Sequence, residues 1–256
     1  MKVSVEERFH KTMPKLLDLL DAGVHFGHKK ERSHPKMKDY TFGLREGVFI
    51  IDLDKTQELL KSAVDYLKKE IELGKTVLFV GTKRQAKDQV QKIAELAGMP
   101  YVTHRWLGGT LTNYETLRKS ITEMETLEAQ ILSPKFNAIT KKERKLVNDR
   151  LEKLHSVFGG VKEMKKLPDL LFVVDAHREK LAIDEANRMN IPVIALADTD
   201  ANPIGIDYLI PANDEAVKSI ELIMKEVSTV VGVKKQAPKE EIKEKKTEEK
   251  GQKENK

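Results

Sequence analysis

Four short polar stretches follow apolar, strand-like runs in this sequence, and their residue types could do chemistry. They are Gly81-Thr82-Lys83-Arg84, His104-Arg105, Asp175-Ala176-His177-Arg178 and Asp198-Thr199-Asp200. In an open parallel sheet, ligands bind beyond the carboxyl ends of the strands. One hypothesis is therefore a phosphometabolite-binding enzyme, in which Lys83 and Arg84 hold a phosphate. Asp198 or Asp200 would then bind a magnesium ion or act as a base.

The motifs that usually accompany such an enzyme are missing from the sequence. There is no G-x-G-x-x-G or G-x-x-x-x-G-K-[ST] at the first strand-to-helix turn, and no Ser/His/Asp grouping with a recognisable nucleophile. Aspartates at strand ends also more often cap helices and close turns. We therefore expect no catalytic residue, no cofactor and no small-molecule substrate.

Two histidines, His25 and His28, have a spacing that could ligate a metal ion. A third and a fourth ligand are not evident beside them in the sequence. Hydrogen bonding within a loop, or contact with phosphate, is the simpler interpretation. We expect no metal site here, although Asp175, Asp198 and Asp200 leave a bound ion open.

A basic stretch near the N-terminus is the stronger functional lead. Residues 24–38 show no hydrophobic period and predict a loop, and residues 21–45 hold six Lys or Arg against three acidic residues. Phe26, Tyr40 and Phe42 are interspersed, which suits contact with a nucleic acid backbone and unstacked bases. A solvated basic face is the alternative. The candidate RNA-binding residues are Lys29, Lys30, Arg32, Lys36, Lys38, Lys83, Arg84 and Arg105.

The decapeptide of residues 104–113 marks a junction between two kinds of sequence. It contains the single tryptophan, Trp106, and two adjacent glycines, Gly108 and Gly109. A strand-like run precedes it and a long charged, helix-like segment follows it. It is either a packing corner, with Trp106 as a buried anchor, or a binding loop.

Strand-like runs alternate with amphipathic helices on both sides of this junction. The runs lie at 76–80, 101–103, 170–174, 193–197 and 208–210. Five short strands alternating with helices predict an α/β fold with a doubly wound, mostly parallel sheet. Upstream, a short helix ends at Gly23, and 40–44 with 48–51 predict a hairpin. Thr82 and Gln85 have capping-box spacing for the following helix.

Residues 110–158 interrupt this rhythm with two heptad-like helices. Ser133-Pro134 separates the helices, and Thr140 with Glu143 predicts a capping box for the second. We predict an inserted antiparallel coiled-coil hairpin, with the α/β core formed by residues 1–109 and 159–233. At the hairpin tip, Phe136 and Ile139 have little to bury them, so they form either a local cluster or a contact site for another protein.

Composition narrows the setting of the protein. The 256 residues contain no cysteine and carry a formal net charge of +5, which excludes disulfides and suits an anionic partner. No apolar run is long enough for a membrane span or a secretory signal, so we expect a cytoplasmic protein. Residues 234–256 contain nine lysines and six glutamates and predict a disordered tail.

The ordered series of motifs resembles the bacterial-type ribosomal protein S2 family. The resemblance covers about residues 15–230 and rests on 22–28 (AGVHFGH), 35–37 (PKM), 50–56 (IIDLDKT), 80–83 (VGTK), 104–113 (HRWLGGTLTN) and 167–170 (LPDL), with Asp175 and His177.

This resemblance implies a noncatalytic structural constituent of the small ribosomal subunit. It further implies a flavodoxin-like core, contacts with small-subunit rRNA and neighbouring ribosomal proteins, and a part in anchoring the multi-OB-fold protein that recruits mRNA. Family members commonly carry arginine and tryptophan where this chain has Glu31 and Ser33.

Overall fold

A computed structural model describes residues 13–138 and 140–232. The strands are β1 (Phe26–Lys29), β2 (Thr41–Arg45), β3 (Val48–Ile51), β4 (Val77–Val80), β5 (Tyr101–Val102), β6 (Leu170–Val174), β7 (Val193–Ala197) and β8 (Tyr208–Pro211). The α-helices are α1 (Leu16–Asp21), α2 (Leu53–Glu72), α3 (Lys87–Ala97), α4 (Tyr114–Leu132), α5 (Lys141–Phe158), α6 (Lys180–Arg188) and α7 (Val217–Val231). The predicted disordered tail lies outside the described residues.

The large sheet has five strands in the order β5-β4-β6-β7-β8, and each neighbouring pair is parallel. Numbered along the chain, this order is 2-1-3-4-5, which is the flavodoxin-like arrangement. The predicted α/β fold and five-stranded sheet are confirmed. Every residue of β4, β6 and β7 is buried, as expected for parallel strands covered by helices on both faces.

Alternate residues of each strand enter two separate hydrophobic cores. Phe79 and Phe172 pack with α2, α3 and α7 on one face. Leu78 and Leu171 point to the other face, where α6 and parts of α4 and α5 cover them. The period of two along each strand therefore builds a three-layer fold. Across the described residues, no helix is long and apolar enough to cross a membrane.

A second, three-stranded antiparallel sheet, in the order β1-β3-β2, lies at the carboxyl edge of the large one. The predicted hairpin corresponds to β2 and β3. The loop predicted over residues 24–38 is partly wrong, because β1 forms within it. The His28 N–H donates to Thr199 Oγ1 at 2.8 Å, and the Asn213 N–H donates to the Val24 carbonyl at 3.0 Å. These bonds join β1 and its flank to the loops after β7 and β8.

Helices α4 and α5 pack against each other and against the large sheet. Leu117, Ile121 and Leu154 share the core that contains Leu78. Glu123 pairs with Arg150 at 2.9 Å, and Glu128 pairs with His155 at 2.8 Å. In a straight antiparallel hairpin, a later residue of α4 pairs with an earlier residue of α5. Here the later residue of α4, Glu128, pairs with the later residue of α5, His155. The regular coiled coil and the domain division stay predictions.

The two predicted capping boxes have different outcomes. Thr140 and Glu143 form theirs at the start of α5, so that prediction is confirmed. The one at Thr82 is wrong, because α3 begins later, at Lys87. Thr82 instead donates its Oγ1 hydrogen to Glu179 Oε1 at 2.5 Å, and its N–H reaches the same oxygen at 3.0 Å. Thr82 thus joins the end of β4 to the turn before α6.

Candidate nucleic-acid interface

The basic segment, residues 29–38, lies on the surface in a fixed backbone conformation. It continues from the end of β1 through two 3-10 turns, Lys30–Arg32 and Pro35–Tyr40. Beneath it Met37 is buried, and the His34 N–H donates to the Thr199 carbonyl at 2.7 Å. The segment is therefore held at the carboxyl edge of the large sheet, where the loop after β7 begins.

The five predicted RNA-binding cations of this segment all point into solvent. One carboxylate, Glu31, stands among them in the sequence. None of the five pairs with a carboxylate in the part of the chain that the structure describes. They are Lys29, Lys30, Arg32, Lys36 and Lys38. This leaves a strongly positive strip that is free to meet phosphates.

Two more predicted cations are exposed at the ends of neighbouring strands. Arg84 follows β4 and Arg105 follows β5. Both side chains are exposed, and the structure places them at the same edge of the sheet as the basic segment, because all five strands run parallel. Their role in RNA contact stays a prediction.

Lys83 does not fit its predicted role as a free phosphate-binding cation. Its side chain is 15% exposed, and its Nζ lies 2.6 Å from Asp214 Oδ1 and 3.0 Å from Asp175 Oδ2. Burial lowers the pKa of Lys83, but the two carboxylates outweigh burial, and the net pKa is raised. The ammonium group therefore neutralises internal acids instead of facing a partner.

Four buried aspartates follow the strands of the large sheet and surround two cations, Lys83 and His28. We call them the aspartate cluster: Asp175, Asp198, Asp200 and Asp214. His28 Nδ1 lies 3.2 Å from Asp198 Oδ2, and His28 Nε2 lies 3.7 Å from Asp200 Oδ2 and 3.3 Å from Glu215 Oε1. The carboxylates outnumber the cations in this buried region.

This imbalance shifts the pKa values within the cluster. The hydrogen bond to Asp198 raises the pKa of His28 to about 9, burial opposes it, and the charges of Asp198, Asp200 and Glu215 add to the rise. Burial raises the pKa of Asp214 to about 8, assisted by the charges of Asp175 and Asp198. At neutral pH His28 is thus an imidazolium, and the carboxyl of Asp214 is much harder to ionise than an ordinary aspartate.

One buried carboxylate, Glu185 of α6, organises the junction decapeptide. Its Oε1 accepts the Trp106 indole N–H at 3.2 Å and the Gly109 N–H at 2.8 Å. Its Oε2 accepts the backbone N–H groups of Leu111 at 3.0 Å and Thr112 at 3.2 Å. Burial raises the pKa of Glu185, but these donors outweigh burial and lower the net pKa. Trp106 is thus a buried anchor, as the packing-corner alternative predicts.

The two junction glycines differ in what their backbones require. Gly109 has φ +90°, a conformation that other residues adopt only under strain, and a Cβ there would lie 3.2 Å from the Asn113 Cβ. At Gly108 a Cβ would meet Leu181 at an ordinary 3.7 Å, and no positive φ is present. The backbone conformation therefore requires glycine at position 109 alone.

The predicted protein-contact residues lie at the connection between α4 and α5. Phe136 is 9% exposed, so the expectation that it has little to bury it is wrong: its ring is covered within the chain. Ile139 lies outside the described residues. Their role in protein contact stays a prediction.

The histidines considered for metal binding have separate surroundings. The His25 ring packs on the Phe26 ring at a centroid distance of 4.0 Å, whereas His28 enters the aspartate cluster. In the described ranges, no set of three or more His, Asp or Glu side chains is arranged to hold a metal ion.

Two of the central residues, Glu185 and Asp214, were not predicted from the sequence. A signal for Glu185 was available, because it lies three residues after Ala182, on the buried face of α6. A carboxylate on that face requires buried donors. Asp214 carries no comparable signal, since Lys83 is 131 residues away from it in the sequence.

Comparison with known proteins places the chain among ribosomal proteins. Residues 19–233 match the sequence model of the family described as Ribosomal protein S2. A protein of Francisella philomiragia named small ribosomal subunit protein uS2 is 50% identical over 220 residues, covering 86% of this chain and 92% of that protein. One of Campylobacter concisus with the same name is 46% identical over 219 residues, covering 86% of this chain and 84% of that protein.

These matches agree with the flavodoxin-like sheet and with the motifs noted in the sequence. Both the family match and the identities extend over most of the described residues. The chain therefore belongs to the ribosomal protein S2 family, as a structural component of the small ribosomal subunit and not an enzyme.

Proposed function

We propose that this chain binds small-subunit rRNA through the basic segment, with Arg84 and Arg105 as further phosphate contacts. The observation that carries the proposal is the strip of five exposed cations without carboxylate partners, held on a backbone that is anchored to the large sheet. Phosphate contacts position a protein without reading sequence, so specificity comes from RNA shape and unpaired bases.

The sequestered ammonium of Lys83 counts against the phosphometabolite alternative. That hypothesis needs Lys83 on a phosphate, but two carboxylates occupy it. The carboxylates of Asp175 and Asp214 beside Lys83 would also repel a phosphate group. The rRNA proposal does not depend on Lys83.

The resemblance and the relatives support a wider set of partners in the cytoplasmic ribosome. These partners are neighbouring ribosomal proteins and the multi-OB-fold protein that recruits mRNA, which this chain would help to anchor. The connection between α4 and α5, for which Phe136 and Ile139 were predicted as contact residues, stays a candidate region for protein contact, although the Phe136 ring itself is covered within the chain.

Rebinding to small subunits stripped of this protein tests the rRNA proposal. A variant with all five cations of the basic segment changed to glutamine should bind more weakly. Its slope of log K against log salt should fall in magnitude by about 3 to 5, in proportion to the lost phosphate contacts. The matched control changes to glutamine five exposed lysines on α2, α3 and α7, the helices that cover one face of the large sheet. These are Lys61, Lys69, Lys92, Lys218 and Lys225. Equal slopes for both variants would refute the proposal.

A further inference from the structure

The strand order of the large sheet reverses between β4 and β6, and the loops after these two strands meet at its carboxyl edge. In sheets of this kind, ligands bind in the crevice at such a switch point. Here the chain closes the crevice itself, because the Thr82 N–H and the Thr82 hydroxyl both donate to Glu179 Oε1, at 3.0 Å and 2.5 Å. Both residues are buried. The switch point is therefore filled by two side chains of this protein.

The contact with Glu179 leaves the Thr82 hydroxyl as a hydrogen-bond acceptor. A hydroxyl has one hydrogen to donate and two lone pairs that accept, and Glu179 takes the hydrogen. Arg178 Nε donates to Thr82 Oγ1 at 2.8 Å, and the Arg178 backbone N–H donates to Asp175 Oδ1 at 2.9 Å. Arg178 is thus held at its backbone and at its guanidinium group, although its side chain is exposed.

The guanidinium group of Arg178 keeps two nitrogens for a partner outside the chain. It has five N–H donors, and Thr82 takes one of them. Nη1 and Nη2 form no hydrogen bond or ion pair with any residue that the structure describes. Their parallel N–H groups suit bidentate contact with a phosphate or a carboxylate. Because the side chain is already held, binding costs less of its conformational entropy.

The exposed charges around Arg178 are positive. The loops after β4, β5 and β6 (residues 81–86, 103–109 and 175–180) contain two acids, Asp175 and Glu179, and both are buried and accept hydrogen bonds from within the chain. The exposed charged side chains of these loops are Arg84, Arg105, Arg178 and Lys180. Neighbouring strands lie about 4.8 Å apart, so these cations form a row across the ends of three adjacent strands.

We propose that Arg178 binds a phosphate of small-subunit rRNA, in one row with Arg84 and Arg105, and that Thr82 positions its guanidinium group. The inference rests on the proposed function and deepens it, because it adds a contact at the switch point of the sheet. A polynucleotide matches the row, since its phosphates follow one another along the strand. A single carboxylate of a partner protein would engage one cation and leave the others without an anion.

Removing the charge of Arg178 tests the contact. Arg178→Gln should weaken rebinding to small subunits stripped of this protein by about 10-fold, and should lower the magnitude of the slope of log K against log salt by about 1. Arg188→Gln is the matched control, because it removes an exposed arginine at the other end of α6 and should change neither. Hydroxyl-radical cleavage of the rRNA backbone should show one stretch that Arg188→Gln protects and Arg178→Gln does not.

The positioning role of Thr82 needs a separate pair of variants. Thr82→Val removes the hydroxyl without changing charge, and Thr82→Ser keeps the hydroxyl. Thr82→Val should weaken rebinding by about 2- to 10-fold through the lost order of the Arg178 side chain, and Thr82→Ser should restore it. Combined with Arg178→Gln, Thr82→Val should have no further effect, because Thr82 acts through Arg178. Thermal unfolding establishes that each variant folds, and the Arg178→Gln test does not depend on this pair.

Other outcomes would overturn the inference. Equal affinity and equal slope for Arg178→Gln and Arg188→Gln would leave Arg178 without a phosphate. Loss of a neighbouring ribosomal protein with Arg178→Gln, and no change in backbone cleavage, would place a protein carboxylate on Arg178. An equal effect of Thr82→Val with and without Arg178→Gln would make the role of Thr82 structural only. If the wild-type chain itself fails to rebind at low salt, the proposed function fails, and this result is distinct from the others.

Discussion

Two buried acidic regions of this protein solve the same problem in different ways. At the junction decapeptide, one carboxylate, Glu185, is satisfied by N–H donors and forms no salt bridge with any of the described residues. In the aspartate cluster, four carboxylates share Lys83 and His28. The first arrangement lowers the pKa of its carboxyl, whereas the second raises the pKa of Asp200 and of Asp214.

In Glu185 the hydrogen-bond donors outweigh burial, whereas in Asp214 burial and the neighbouring carboxylates prevail over its one cation. Glu185 and Asp214 are buried to 2% and 1% exposure. Glu185 collects donors at both oxygens, whereas Asp214 Oδ2 has no hydrogen-bond partner among the described residues. Hydrogen bonds to the charged form favour it, and nearby like charges disfavour it.

The largest expected effect is at the donor-satisfied carboxylate. Glu185→Ala should lower the free energy of unfolding by about 4 kcal/mol, because several buried N–H groups lose their acceptor together. Chemical denaturation monitored by the fluorescence of Trp106 measures the change. Asp184→Ala, at the exposed neighbouring position, should change it by less than about 0.5 kcal/mol. Similar losses in the two variants would contradict the network.

The second-largest expected effect is the loss of Lys83, the cation that Asp175 and Asp214 share. Lys83→Met should lower the free energy of unfolding by about 3 kcal/mol, because buried carboxyls are left without their cation. Arg84→Met, at the next and exposed position, should leave the unfolding free energy almost unchanged. The same denaturation experiment compares the two variants. A neutral effect of Lys83→Met would mean that Asp175 and Asp214 do not need the ammonium group.

His28 should make stability depend on pH. Its pKa is raised to about 9 in the folded chain, so its contribution is fully present below pH 6.5 and is lost as the pH rises through 9. We expect a loss of about 2 kcal/mol over this interval, less than full conversion of the shift, because solvent screens the partner Glu215.

Unfolding across this pH interval measures the effect. His28→Gln should reduce the dependence, and the remainder should come from Asp214, whose pKa is raised to about 8 and which also contributes less stability as the pH rises. His34→Gln should keep the wild-type dependence, since the His34 ring forms no ion pair in the described ranges. An undiminished pH dependence in His28→Gln would show that His28 is not one of the titrating groups.

The smallest expected effect is the difference in stability between alanine substitutions at the two junction glycines, Gly108 and Gly109. Gly109→Ala should destabilise the fold by about 1–2 kcal/mol, because φ +90° is unfavourable for a residue with a Cβ. Gly108→Ala should fall within about 0.5 kcal/mol of the wild type. Thermal unfolding compares them, and equal melting temperatures would show that the junction adapts.

The large sheet could be predicted because β4, β6 and β7 are continuous apolar runs. Strand β1 could not, because Phe26-Gly27-His28-Lys29 has no alternating pattern and its pairing with β3 is irregular. Bonds to residues far along the chain hold it, among them the bond to Thr199, 171 positions later. The pattern of apolar and polar residues within one short segment carries no information about hydrogen bonds to residues so far away in the sequence.

The charge pattern of the sequence predicted an exposed, unpaired cation correctly only where the fold brings no carboxylate close to that cation. The exposed cations of the basic segment match the prediction in their exposure. The same residue type at position 83 does not, because Asp214 approaches it through the fold. Sequence reasoning identifies a cation, but the tertiary structure decides whether it is free.

The anchoring of residues 24–38 to the loops after β7 and β8 also orders events during synthesis. These residues, which include β1 and the basic segment, are made early, but their bonds to Thr199 and Asn213 need residues made much later. At about 5–20 residues per second, the partner of His28, 171 residues later, follows after about 9–34 s. A nascent chain therefore completes this anchoring only after Asn213 has been translated, and a chain that ends before Thr199 lacks the bonds that hold the basic segment to the large sheet.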